Sequence, residues 1–114
     1  MSLRDKFLKR AATREIIEFD AGLDEPVFIR PMRKATKSKA ESIASKEKTA
    51  KDCSDLRFIV LRDCLCDSDG VELLSAGDRQ EFDQMDESFV EPIFNRVLQI
   101  SGLTENEIEE LEKN

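Results

Sequence analysis

Residues 54–66 read SDLRFIVLRDCLC, and the reading of this stretch decides the fold. Leu56, Phe58, Ile59, Val60, Leu61, Cys64 and Leu65 leave only a narrow polar strip at Asp55, Arg62 and Asp63. A helix apolar around most of its circumference belongs at a centre rather than on a surface. Phe58–Leu61 alone would also suit a buried strand, but the length of the run and the Ser54/Asp55 start favour a helix over 54–66.

Toward the C-terminus, Asp67-Ser68-Asp69-Gly70 has the composition of a turn, and Val71–Leu74 that of a short extended piece. Residues 75–85 begin another helix, capped by Ser75 or by Gly77-Asp78, with Phe82 and Met85 as its apolar contacts. Residues 87–101 form the second strong helix, with Phe89, Ile93, Val97 and Ile100 in one row and Val90, Phe94 and Leu98 in the next. Pro92 lacks a donor, which restricts it to the first turn of that helix. Gly102-Leu103 suits a left-handed C-cap with its apolar closing contact. Thr104 and Glu107 have capping-box spacing for a last helix over 105–112. That helix has only Ile108 and Leu111 to bury, and Glu110 and Glu112 oppose its dipole, so it is expected to fray or to be held by a partner.

Toward the N-terminus, residues 33–52 are a basic segment expected to be partly mobile. Arg33–Lys51 carries seven basic and two acidic residues, and the Ser38/Glu41 spacing predicts a short helix that loosens near Ser45–Lys51. Before it, TREIIEF (13–19) and VFIRPM (27–32) flank a loop containing Gly22, which predicts a β-hairpin. Pro26 and Pro31 cannot donate to a ladder, so the second strand is expected at an edge or confined to Val27–Arg30. Residues 2–12 suit a three-turn helix capped by Ser2, with Leu3, Phe7 and Leu8 to one side among Arg4, Lys6, Lys9 and Arg10. A helix that short is marginal alone and needs a partner.

The expected fold class is therefore α+β and predominantly α-helical. It is one domain over 1–114, with a helix and small β-hairpin in 1–32, the basic segment 33–52, and a helical bundle over 53–114 that ends in an acidic helix. Phe58, Leu61, Phe89, Ile93 and Val97 are the expected centre, each worth about 1.5–3 kcal/mol when buried.

With 114 residues, the chain can bury one modest core. It has no His, Trp or Tyr. The missing His removes the usual general base and every Ser-His or Cys-His nucleophile pair. Catalysis by carboxylates or Lys alone is the enzyme reading left, the least favoured because no recognisable motif is present, and no catalytic residue is expected. The net charge of −7 divides unevenly, about +4 over residues 1–57 and −11 over 58–114. Such halves either attract one another, within a chain or head to tail between chains, or simply keep the surface solvated. Three cysteines and no apolar run of signal or membrane-span length suit a cytoplasmic protein without disulfides.

Two motifs invite metal chemistry and lack the ligands for it. If Gly70 took the sixth position of a calcium loop, the first and twelfth would be Leu65 and Ala76, which offer no side-chain oxygen. Cys64 and Cys66 diverge on a helix, and no second cysteine pair exists, so they are expected in the core. No metal or cofactor is expected. The basic run offers a nucleic-acid contact in principle, but it has no stacking aromatic and no recognisable module.

Several segments together resemble a known family. They are the basic opening Leu3–Arg10, the strand Val27-Phe28-Ile29-Arg30, the core helix running from Leu61 through Cys66 into Asp67-Ser68-Asp69-Gly70, the ending Leu98–Leu103 followed by Thr104-Glu105, and the terminal Glu109–Asn114. In this order the chain resembles the short form of the tail assembly chaperones of long-tailed bacteriophages. That resemblance implies a non-enzymatic protein that coats and solubilises the tape measure protein, helps recruit tail tube protein, self-associates, works in the cytoplasm of the infected host and is absent from the mature virion. It also implies a longer product by translational frameshifting near Glu112-Lys113-Asn114. The partner or self-association surface is expected at Val27, Phe28, Ile29, Arg33, Lys34, Lys37, Ile108 and Leu111. The alternative is a nucleic-acid-linked regulator working through 33–51.

Overall fold

The computed structural model describes residues 1–45 and 49–112. In chain order it builds α1 (Leu3–Ala12), β1 (Ile17–Phe19), β2 (Val27–Ile29), α2 (Lys34–Ala44), α3 (Ala50–Cys64), β3 (Leu65–Cys66), α4 (Arg79–Asp83, preceded by a 3-10 turn at Ala76–Asp78), α5 (Glu87–Ile100) and α6 (Glu105–Glu112). The expected mostly helical α+β class holds: six α-helices accompany a small antiparallel sheet among the described residues.

The hairpin forms where the two β-rich runs predict it. Ile17 pairs with Ile29 and Phe19 with Val27. Its second strand is confined to Val27–Ile29, within the predicted Val27–Arg30, and is not at an edge but in the middle, because β3 adds to it with Phe28 opposite Cys66 and Ile29 opposite Leu65. The prolines do not prevent this, since Pro26 and Pro31 lie just outside Val27–Ile29 and remove no donor from its ladder. The same pairing shortens the central helix. α3 stops at Cys64, and Leu65-Cys66 turns into the strand instead of completing the predicted helix.

α3 also begins earlier than Ser54. Thr49 and Asp52 form a reciprocal capping box, with Asp52 N–H donating to Thr49 Oγ1 and Thr49 N–H donating to Asp52 Oδ2. The expected loosening near Ser45–Lys51 falls in part on 46–48, outside the described residues, while Thr49–Lys51 forms the cap and first turn of α3. α2 begins at Lys34 rather than Ser38, and Arg33 at its N-cap makes no side-chain capping bond. The missing cap is replaced from another element, because the Asp63 carboxylate of α3 accepts the Arg33 backbone N–H at 3.0 Å. A negative charge held at a helix N-terminus stabilises it, so a tertiary contact overrides the local spacing at Ser38/Glu41.

The core lies where α3 and α5 meet, backed by α2, α4, α6 and the inner face of the sheet. Leu56, Val60, Leu61, Phe94, Val97 and Leu98 are buried, and so are Phe58 and Ile93. Phe82 of α4 packs its ring 5.2 Å from that of Phe58, as its place in the sequence predicts, while Met85 is exposed. Phe89 is a correction: it sits at the first turn of α5, beyond the end of the packed surface, and is 37% exposed. Pro92 is another. It is the sixth residue of α5, not part of the first turn. Its missing N–H leaves the Ser88 carbonyl without a rung, which is tolerable because Ser88 and Pro92 both lie on the exposed side.

The end of α5 and the cap of α6 follow the sequence signals, whereas the expected fraying of α6, or its holding by a partner, is not what the structure shows. Gly102 takes φ +73° and Leu103 is buried. Thr104 and Glu107 form a capping box, in which the Thr104 N–H donates to Glu107 Oε1 and the Glu107 N–H donates to Thr104 Oγ1. α6 is held within the chain itself: it packs on α2 and α5, Leu111 is 2% exposed, and Lys37 Nζ of α2 lies 2.7 Å from Glu107 Oε2.

Candidate interaction surface

The outer faces of the molecule divide into three features. The first is α1. Ser2 caps it by accepting the Asp5 N–H, and Lys9 and Arg10 occupy its last turn, where positive charge suits the dipole. None of its ten residues is buried. Leu3 and Phe7, one turn apart on the same side, are 83% and 68% exposed, and Leu8 beside them is also exposed. The chain has built an amphipathic helix and laid nothing over its apolar side.

The second feature is a cleft of about 550 Å³ where the end of α1 meets the start of α2, lined by Ala11, Ala12, Arg14, Arg30, Met32, Arg33 and Lys34. Its arginines are largely committed. Arg14 Nη1 donates to Asp63 Oδ1 at 2.8 Å, and Arg30 donates to the backbone carbonyls of Asp63 and Gly70 at 3.0 Å each. Asp63 thus ties the hairpin, α2 and α3 together. Burial pushes its carboxyl pKa up, but the Arg33 N–H, the Thr36 hydroxyl and Arg14 outweigh burial and hold it below the ordinary value. Arg57 does similar work across α3 and α5: it is buried, pairs with Glu91, and stacks its guanidinium 4.9 Å from the centre of the Phe94 ring.

The third feature is a groove of about 250 Å³ between the C-terminal end of α2 and α6. Ala44, Leu103 and Leu111 give it an apolar floor, and Glu41, Glu107 and Glu110 stand among the residues around it. Elsewhere, further exposed apolar residues lie in the segments that flank the sheet strands. A side-chain carbon of Ile16 lies against Gly70, next to Val71, and Ile16, Val71 and Leu73 are all exposed, as is Leu23 in the hairpin loop.

The sequence-predicted surface is therefore split by the fold. Val27 and Ile29 face inward and are buried, because alternate residues of β2 share the side that packs on the helices, and only Phe28 points the other way, half-buried. Leu111 is core, and Ile108 is half-buried against it. Those inward positions correct the expectation of an outer face at Val27, Ile29 and Leu111. Arg33 and Lys34 are exposed, with Arg33 Nε 3.6 Å from Asp63, and Lys37 is spent on Glu107. The structure brings Arg33 and Lys34 together at one cleft and puts Lys37, Ile108 and Leu111 at the α2–α6 contact; Phe28 belongs to neither.

Asp63, Arg14, Arg30 and Arg57 were not singled out by spacing. The one available signal was Asp63 itself, an acid in an otherwise apolar run, and its partners are 30 and 49 residues distant in the chain.

Cys64 and Cys66 are buried, as predicted, and burial pushes both thiols above their ordinary pKa. Asp67-Ser68-Asp69-Gly70 is a turn, in which Asp67 Oδ1 accepts the N–H groups of Asp69 and Val71 and Gly70 takes φ +83°. Among the described residues no helix is long and apolar enough to cross a membrane. No protein-family model, curated protein or solved structure matches the chain.

Proposed function

We propose that this chain is a non-enzymatic assembly chaperone of the phage tail type, which covers and solubilises a tape measure protein and helps recruit tail tube protein in the host cytoplasm, leaving before the virion is complete. The observation that carries the reading is that exposed apolar side chains stand on two separate parts of the molecule, Leu3, Phe7 and Leu8 on α1, and Ile16, Val71 and Leu73 in the segments flanking the sheet. A molecule with two such faces can touch two polypeptides at once, and coating a long filament requires that. Isolated exposed apolar residues are ordinary; a bare helix side is not. The part flanking the sheet, with Val71 and Leu73, is the face assigned to the tape measure protein.

The nucleic-acid alternative has less behind it. Within 33–51, Lys37 is bonded to Glu107 and Arg33 lies 3.6 Å from Asp63, and the acidic half repels phosphate.

Co-expression with the tape measure protein tests the proposal. The wild-type chain should raise the soluble fraction of that protein, and Val71→Lys/Leu73→Lys should lose the effect while remaining folded. An unchanged soluble fraction with the wild-type chain contradicts the reading, and salt-dependent binding to a DNA duplex would favour the alternative.

A further inference from the structure

We propose that α1 of one molecule seats in the α2–α6 groove of a second copy, giving a head-to-tail interface. The inference concerns the self-association half of the chaperone reading and does not depend on the identity of the client.

The two surfaces match in shape and charge. On α1 the apolar stripe of Leu3, Phe7 and Leu8 is flanked by Arg4, Lys6, Lys9 and Arg10, with Asp5 as the single acid of the helix. On α6 five of eight residues are glutamates, none is basic, and nothing in its last turn complements the negative end of its dipole. The groove has an apolar floor bordered by carboxylates, and α1 has an apolar stripe bordered by cations. This is the helix-in-groove mode of recognition with electrostatic complementarity to set its register.

Energetics demand an occupant on the other side as well. A ten-residue helix with no buried residue is marginal in water, because most helical stability in proteins comes from packing an amphipathic face. The chain's own groove does not serve. α1 ends at Ala12 in the cleft beside Arg33 and Lys34, at the start of α2, whereas the groove lies at the other end of α2, around Glu41 and Ala44. The helix and groove of one molecule therefore face different neighbours. Such a contact is heterologous and repeats from copy to copy, closing into a ring or continuing as a filament.

Sedimentation of the full chain across a concentration series tests this. The wild type should associate progressively at tens of micromolar, more strongly at low salt than at high. Phe7→Glu, a change at an exposed position, should weaken association at least ~10-fold. Glu41→Lys/Glu110→Lys should do the same from the groove side, with the circular dichroism of both variants unchanged. Mixed together, the two variants should form a one-to-one complex and nothing larger, because one retains only its groove and the other only its helix. A monomeric wild type, continued association of either variant, or a mixture that fails to pair would each overturn the proposal. Loss of tape measure solubilisation alone, with this pairing intact, would sink the client reading and leave the interface standing.

Discussion

α1 and α5 are both amphipathic helices, and the molecule treats them oppositely. α5 buries Val90, Ile93, Phe94, Val97 and Leu98 against α3 and α6, while α1 buries nothing. The difference lies in what surrounds them. α5 follows α4 through a short turn, and Asp86 caps it by accepting the Ser88 N–H. At its far end Ser101 Oγ accepts the Met32 N–H at 3.0 Å, which anchors it to the segment leaving the hairpin. The last turn of α1 lines the cleft of Arg14 and Arg33, and none of its residues is buried. Amphipathicity thus specifies that a helix wants a partner; the tertiary contacts specify whether that partner is in the same chain.

The largest effect that would sharpen this contrast is in the core. Phe94→Ala should cost about 3–5 kcal/mol, and Leu61→Ala, on the α3 side of the same contact, about 2–5 kcal/mol, measured by urea denaturation. A loss below 1 kcal/mol at both positions would mean that α3 and α5 are not the centre of the molecule.

Next comes the polar junction. Asp63→Ala removes the acceptor shared by Arg14 and the Arg33 N–H and should cost about 2–3 kcal/mol. The sign of the pH dependence follows from the lowered carboxyl pKa. Stability from Asp63 is fully present above its unfolded value, about 4, and is lost as pH falls through the lower folded value. The melting temperature of the wild type should therefore drop in acid more steeply than that of Asp63→Asn, and parallel curves would exclude Asp63 as the contributor.

A smaller change is expected at Gly102→Ala, about 1 kcal/mol. An added Cβ meets nothing within 4 Å there, so only the strain of a positive φ is felt. Smallest of all, Phe7→Ala should shift the stability of the dilute monomer by less than about 0.5 kcal/mol, the reverse of Phe94→Ala, because the ring is bare. A loss of 2 kcal/mol or more, on the scale of a buried aromatic, would mean that α1 packs on its own chain.

The features legible in the sequence are those written in local chemistry. The hairpin, the left-handed Gly102, the Thr104/Glu107 box and the apolar runs of α3 and α5 all depend on residues a few positions apart. The errors arise where distant residues take over. Leu65-Cys66 joins the sheet because β2 offers an open edge, α2 starts at Lys34 because Asp63 reaches across from α3, and Phe89 stays exposed because no element covers the first turn of α5. The candidate surface was the least legible. Apolar character draws attention to Val27, Ile29 and Leu111, yet the same character buries them. The bare side of α1 has the same residue types as a covered one, and only its place in the fold distinguishes it.

Amide hydrogen exchange of the full chain, dilute and concentrated, reads that distinction most directly. In the dilute monomer the amides of Leu3–Ala12 should exchange rapidly and those of α5 slowly; on concentration α1 should become protected while α5 does not change. An α1 as protected as α5 in the dilute monomer, or one that exchanges rapidly at every concentration, would contradict a helix kept bare for another molecule.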